Sequence, residues 1–250
     1  MAVPSTQHLL AAWERGRAVP RPAERALALL CAAHADVPRA AIAALPIGER
    51  DRRLLSLRED MFGPQLSALT ACPACRASLE LEFEAGDFGD APSDDIAGEA
   101  ATDLLSLSLD GYEVVFRLPD SLDMLALRDG DGDDENRSRL LQRLVLRASH
   151  GTKEIPASRL PPALVDALDG RLSLEDPHAD IRLNLTCAAC EARWQAPFDI
   201  ASYLWTEVDA WALRLLRDVH RLARGYGWRE ADILALSSAR RQCYLDLLDE

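Results

Sequence analysis

Two cysteine pairs carry the clearest chemistry in this chain. Cys72 and Cys75 stand in "TACPACRASLELEFE", and Cys187 and Cys190 stand in "LTCAACEARWQAPF". A C-x-x-C pair offers two thiolates from one tight turn, and two such pairs supply the tetrahedral four-sulfur set that zinc prefers. Each pair has a strand-like lead-in and exit, so the spacing predicts two β-hairpin knuckles facing each other. Four thiolates leave no position open for water, which makes the expected site structural rather than catalytic.

More than a hundred residues separate the two pairs, far more than in a compact zinc ribbon. Loop closure costs about 0.6 kcal/mol per doubling of length, so three doublings cost roughly 2 kcal/mol. Structural zinc contributes about 10–16 kcal/mol in finger peptides. The metal outweighs the loop, and the intervening chain reads as an insertion between two halves of one ribbon. Thiol redox chemistry is the rival, because "CPAC" is similar to the C-P-x-C of thioredoxin-like enzymes. Those place the motif at a helix N-terminus, which lowers the thiol pKa. Here Leu79, Leu81 and Phe83 alternate with Glu80, Glu82 and Glu84 after the cysteines, a strand period. One departure is that Arg76 and Glu191 follow the second cysteines, where glycine often serves a positive φ. The two remaining cysteines, Cys31 and Cys243, read as buried small hydrophobes.

Other chemistry is not encoded. The five histidines, His8, His34, His150, His178 and His220, form no metal-binding pair at helical spacing. There is no G-x-S-x-G, no G-x-x-x-x-G-K and no H-E-x-x-H. Residues 129–136, "DGDGDDEN", begin like a calcium loop, but Leu140 stands where the bidentate glutamate belongs. We read this stretch as a solvated loop capping the next helix. The expected protein is not an enzyme.

The elements that must position the cysteines follow from hydrophobic period. Residues 8–60 are helical in pattern, with Pro22 near the start of one helix, where its missing N–H is harmless. Gly63-Pro64 ends the segment in which Leu54, Leu55, Leu57 and Met61 share a face. Residues 86–100 form an acidic loop. Residues 104–118 read as a hairpin turning at Asp110-Gly111. A helix is expected from Ser121, another over 136–149, and a short one in "PPALVDALDGRL" that stops at Gly170. Residues 179–186 alternate again and lead into the second cysteine pair. A long helix spans 199–228, with Leu204, Val208, Trp211, Leu215 and Val219 on one face, and Gly225 or Gly227 as its stop. Two shorter helices close the chain, the last with Ser237 or Ser238 as N-cap.

The expected fold is therefore α+β: mainly helical, with a split four-cysteine zinc ribbon formed by two β-hairpin knuckles. Residues 1–65 make an N-terminal helical region, 66–84 plus 180–200 the ribbon, 85–179 an inserted α/β middle region, and 201–250 a C-terminal helical region.

The chain has 250 residues, long enough for a substantial core, and a formal net charge of −13. That balance argues against a nucleic-acid partner, since phosphate binding needs clustered Lys and Arg. It counts equally against a zinc-ribbon nucleic-acid module. The opening residues carry no signal-peptide pattern, and no run reaches the length of a membrane span, so a cytoplasmic location without membrane insertion is expected. Aromatic and arginine residues crowd the last quarter. Core packing explains part of this. The rest suits a docking face, because Trp, Tyr and Arg dominate binding hot spots. Trp205, Trp211, Arg214, Arg221, Trp228 and Arg229 are the candidate partner-binding residues.

The stretch "LPIGERDRRLLSLREDMFGPQL", followed by "CPAC" and a strand, resembles a family of baseplate proteins of T-even-type contractile phages, with relatives in phage-tail-like injection systems. Leu45 to Arg50 and Leu55 to Gly63 carry the likeness, and the helical segment after Trp205 is also similar to proteins of such systems. The resemblance implies a non-catalytic role in forming the baseplate, with baseplate, hub or spike proteins as partners. It implies assembly in the cytoplasm, either as a subunit kept in the tail particle or as a hub chaperone that leaves it.

Overall fold

The computed structural model describes residues 4–89, 92, 96, 104–128 and 130–249. Its contacts divide the chain into two compact units: residues 36–200, and residues 2–35 together with 201–250. The helical residues 1–65 are thus shared between both units, with the division after Ala35.

The first unit opens with α3 (Arg39–Ala43) and α4 (Ile47–Phe62). Gly63 ends α4 at φ 90°, a value that L side chains rarely adopt. Strands β1 (Gln65–Ala71) and β2 (Ser78–Glu84) then pair antiparallel, with Leu66 opposite Phe83. A 3₁₀ turn, Ala85–Phe88, follows. The acidic loop expected over 86–100 lies mostly outside the described residues, as does Asp129 of the acidic stretch 129–136.

A four-stranded antiparallel sheet comes next, in the order β3 (Leu105–Leu109), β4 (Tyr112–Phe116), β5 (Val145–His150), β6 (Lys153–Glu154). Asp110 and Gly111 both have positive φ, 49° and 79°, as a two-residue hairpin turn requires. Between β4 and β5 lie α5 (Ser121–Ala126) and α6 (Asp133–Leu144), and after β6 comes α7 (Pro162–Glu175). Val114, Phe116 and Ala148 from the sheet pack with Leu160, Leu164 and Leu168 as one core.

Two helix boundaries differ from the sequence expectation. The helix expected over 136–149 begins at Asp133 and ends at Leu144, and Val145–His150 is strand. The apolar run Leu140, Leu141, Leu144, Val145 satisfies a helical period, but pairing of Val114 with Ala148 and of Tyr112 with His150 decides the outcome. Three acidic residues in the first turn of α6, Asp133, Asp134 and Glu135, favour its dipole, while the N-cap is Gly132. The second difference is Gly170, which does not stop α7. A mid-helix glycine costs about 1 kcal/mol. Leu172, one turn from Leu168, joins the sheet core and offsets it.

The chain returns through a 3₁₀ turn, Pro177–Asp180, to the antiparallel pair β7 (Arg182–Thr186) and β8 (Arg193–Pro197).

The second unit is helical: α1 (Thr6–Arg17), α2 (Pro22–Ala33), α8 (Ile200–Tyr226), α9 (Glu230–Leu234) and α10 (Ser238–Asp246). Leu204, Val208, Leu215 and Val219 are buried along α8, while Trp211 is half-buried. Trp13 Nε1 donates to Asp209 Oδ1 at 2.8 Å. Gly227, at φ 71°, ends α8 by donating its N–H to Ala223 O. Ser237 Oγ accepts from Arg240 N and caps α10. Among the described residues no helix is long and apolar enough to cross a membrane.

Candidate metal centre

Each cysteine pair sits on the turn of its own hairpin, Cys72 and Cys75 between β1 and β2, Cys187 and Cys190 between β7 and β8. The two turns share one hydrogen-bond plan. Cys72 N donates to Ala77 O and Arg76 N to Cys72 O; Cys187 N donates to Ala192 O and Glu191 N to Cys187 O, all at 2.9 Å. Arg76 and Glu191 both take the left-handed conformation, with φ of 62° and 59°. The turn therefore imposes the positive φ where the sequence offers no glycine.

This plan aims four sulfurs at one point. The four Sγ atoms lie within 4.8 Å of one another, a cluster that could hold a metal ion. Cys72 Sγ is 3.7 Å from Cys190 Sγ, and Cys75 Sγ is 3.6 Å from Cys187 Sγ. A tetrahedron with zinc–sulfur bonds of about 2.3 Å has edges of about 3.8 Å. A disulfide needs about 2.05 Å, and none of the six cysteines is in one. In each pair the first cysteine is buried and the second exposed.

The electrostatics suit a cation. The backbone N–H of Cys75, with that of Ala74, stabilises a thiolate at Cys72 and lowers its pKa to about 7. At Cys190 the N–H of Ala192 acts in the same sense, but the thiols of Cys75, Cys187 and Cys72 together with burial push it up to about 12. One sulfur is poised to ionise and its neighbour holds a proton. A divalent cation would release such protons on binding.

Behind the sulfurs, three aromatic rings join the same two hairpins. Phe83 of β2 lies edge-on to Phe198, just past β8, at 5.2 Å between centroids, and Phe88 stacks on Phe198 at 5.4 Å. His178 hydrogen-bonds through its ring to Phe88 O. The β1–β2 hairpin has one fully buried apolar strand residue, Leu66. Isolated two-stranded hairpins are marginal in water, so the contacts between the two, at the sulfur cluster and the phenylalanines, help to hold them.

Two further anchors were not legible in the sequence. Gly48 N, at the start of α4, donates to Asp176 Oδ2 at 2.9 Å. This fastens the turn that feeds β7 onto the helix that feeds β1. Burial raises the Asp176 carboxyl above its ordinary range, and the Gly48 N–H partly opposes that shift. The second anchor is Asp123, which is fully buried and receives Arg117 at 2.6 and 2.9 Å and Arg143 at 2.7 Å. Burial works to raise its pKa, but the hydrogen bonds from Arg117, the Asp120 N–H and Arg143 together outweigh burial and leave it below the ordinary value. Asp176 meets a partner 128 residues away, and Asp123 meets arginines six and twenty residues away, spacings that neither a helical nor a strand period signals.

The remaining candidate residues are dispersed. Cys31 is half-buried, and Cys243, expected to be buried, is exposed, because Arg241 and Leu245 turn the opposite face of α10 inward. Trp205 is buried, with the Arg25 guanidinium 4.9 Å from its ring centre and Gly16 packed against its edge. It belongs to the internal packing of its unit and presents no contact face. Trp211 and Trp228 are half-buried, the latter stacked on Tyr226. Arg214 and Arg229 are exposed, and Arg221 is exposed with Asp249 as its ion-pair partner. No family model, no curated protein and no solved structure matches this chain.

Proposed function

We propose that this protein is a zinc-stabilised, non-enzymatic structural or assembly component of a contractile tail or injection-system baseplate, acting through protein–protein contacts. The observation that carries the zinc assignment is the sulfur quartet, whose 3.6 and 3.7 Å edges match a four-thiolate tetrahedron. The ion would be structural, clasping two hairpins that have little core of their own. The baseplate role is supported by the resemblance of Leu45 to Gly63 to that family. Most of that stretch is α4, with Arg50, Arg53 and Arg58 buried along it. Such a segment serves fold and contact rather than turnover.

Two measurements test the proposal. Metal analysis of protein purified under reducing conditions is expected to find one zinc per chain, and well under one would sink the zinc assignment. Quantitative mass spectrometry of purified tail particles against soluble lysate tests the role. A fixed ratio to sheath and hub makes the protein a structural subunit. Recovery only on free hub or spike proteins makes it an assembly chaperone. Recovery with neither removes it from the baseplate.

A further inference from the structure

Charge is unevenly divided along this chain. Residues 36–200 hold 17 basic against 31 acidic residues, a formal −14. Residues 2–35 and 201–250 hold 11 arginines against 10 acidic residues, a formal +1. Within that helical unit the arginines are ordered. Arg214, Arg217, Arg221 and Arg224 are all exposed on α8. At about 100° per residue they fall within roughly 80° of arc, and at about 1.5 Å per residue they extend over about 15 Å. Arg221 is held by Asp249. Arg214, Arg217 and Arg224 have no ion-pair partner among the described residues. The half-buried Trp211 borders the stripe, and the half-buried Trp228 follows the helix end.

We infer that this stripe docks an acidic helix of another protein. Three exposed guanidinium groups without an ion-pair partner among the described residues outnumber Asp218, the one acidic residue of that stretch of α8, which lies near Arg221, and a carboxylate row complements the excess positive charge. The arginines recur at three and four residues, about 4.5–6 Å along the axis, the same repeat that glutamates at i, i+3 and i+4 present on a helix face. Arginine beside tryptophan is also the composition of protein–protein hot spots. A nucleic acid fits less well: its charge continues beyond 15 Å, and a chain of net −13 repels a long polyanion. The inference rests on the protein–protein reading above and adds the chemistry of the partner. It can fail while the particle experiment succeeds, and the reverse.

The test is fluorescence anisotropy of the full chain with a labelled alanine-based helical peptide carrying glutamate along one face. A lysine version of the peptide and a single-stranded oligonucleotide of equal charge serve as comparisons. The expected result is binding of the glutamate peptide alone, weakening as salt rises. Affinity should fall about tenfold or more in the Arg214→Gln, Arg217→Gln, Arg224→Gln variant. These side chains are exposed, and an unchanged melting temperature shows that the variant is folded. Arg182→Gln, in the other unit, should leave binding unchanged. Absence of glutamate-peptide binding, or binding that the triple variant retains, overturns the inference. Equal or tighter oligonucleotide binding that the triple variant loses overturns it in favour of nucleic acid.

Discussion

Arg76 and Glu191 occupy the same position of the two knuckle turns, each at φ near 60° and each donating its N–H to the first cysteine of its pair. A left-handed conformation costs a residue with a Cβ about 1–2 kcal/mol. Arg76→Gly and Glu191→Gly should therefore each stabilise the metal-loaded protein, by up to about 1 kcal/mol after the extra chain entropy of glycine is counted. Thermal unfolding at saturating zinc measures this. A loss of stability in both would mean that those side chains make contacts outweighing the backbone cost.

The sulfur cluster predicts a contrast among cysteines. Cys72→Ser should lower bound zinc well below one per chain and lower the melting temperature, since the buried site loses a ligand. Cys243→Ser changes an exposed thiol on α10 and should leave both unchanged. Chelation of wild-type protein should reproduce the Cys72→Ser melting curve. Metal content and calorimetry on the same samples settle the comparison.

Gly48 has almost no room for a side chain: a Cβ there would lie 1.8 Å from Asp176 Oδ1. Gly48→Ala should destabilise the protein by about 2–4 kcal/mol, through the clash and the loss of the hydrogen bond to the carboxylate. Asp176→Ala removes the obstacle as well as the acceptor. In the double variant the two losses should therefore fall short of their sum. Denaturant unfolding of the four proteins gives the coupling directly.

Asp51 predicts a pH dependence. Burial raises its pKa to about 6, against the opposing pull of Arg50. A carboxyl with a raised folded pKa binds its proton more tightly when folded. The contribution of Asp51 to stability is therefore highest at low pH and declines as pH rises from about 4 through 6. Relative to Asp51→Asn, which cannot titrate, the wild type should lose about 2 kcal/mol between pH 4.5 and 7. Denaturant unfolding of both proteins across that window reads the difference, and parallel profiles would place the carboxyl in a more solvated setting.

What the sequence disclosed, and what it did not, follows from the range of each interaction. The period-2 run Leu79, Leu81, Phe83 and the period-3.6 run Leu204, Val208, Leu215 are local, and both elements lie where they were expected. So does the pairing of the two C-x-x-C turns, because four thiolates have few other uses in one chain. Val145–His150 was misread because its helical period breaks only through pairing with β4. The Gly48–Asp176 and Arg143–Asp123 bonds had no local signature, since each polar group is satisfied by whatever the finished fold brings near. Trp205 looked like a contact residue by composition and is consumed by Gly16 and Arg25 of its own unit.

The order of the elements is nested. The sheet and α7 lie inside the two cysteine hairpins, and those lie inside the helices at either end. During synthesis the inner sheet can therefore close first, once Glu175 has emerged. The sulfur quartet waits for Cys190, and α1 and α2 wait for α8. Until then Cys72 and Cys75 stand as an exposed, half-filled chelate on a nascent chain. Metal uptake at the quartet would thus fall late, after the innermost module is complete and before the outermost one closes.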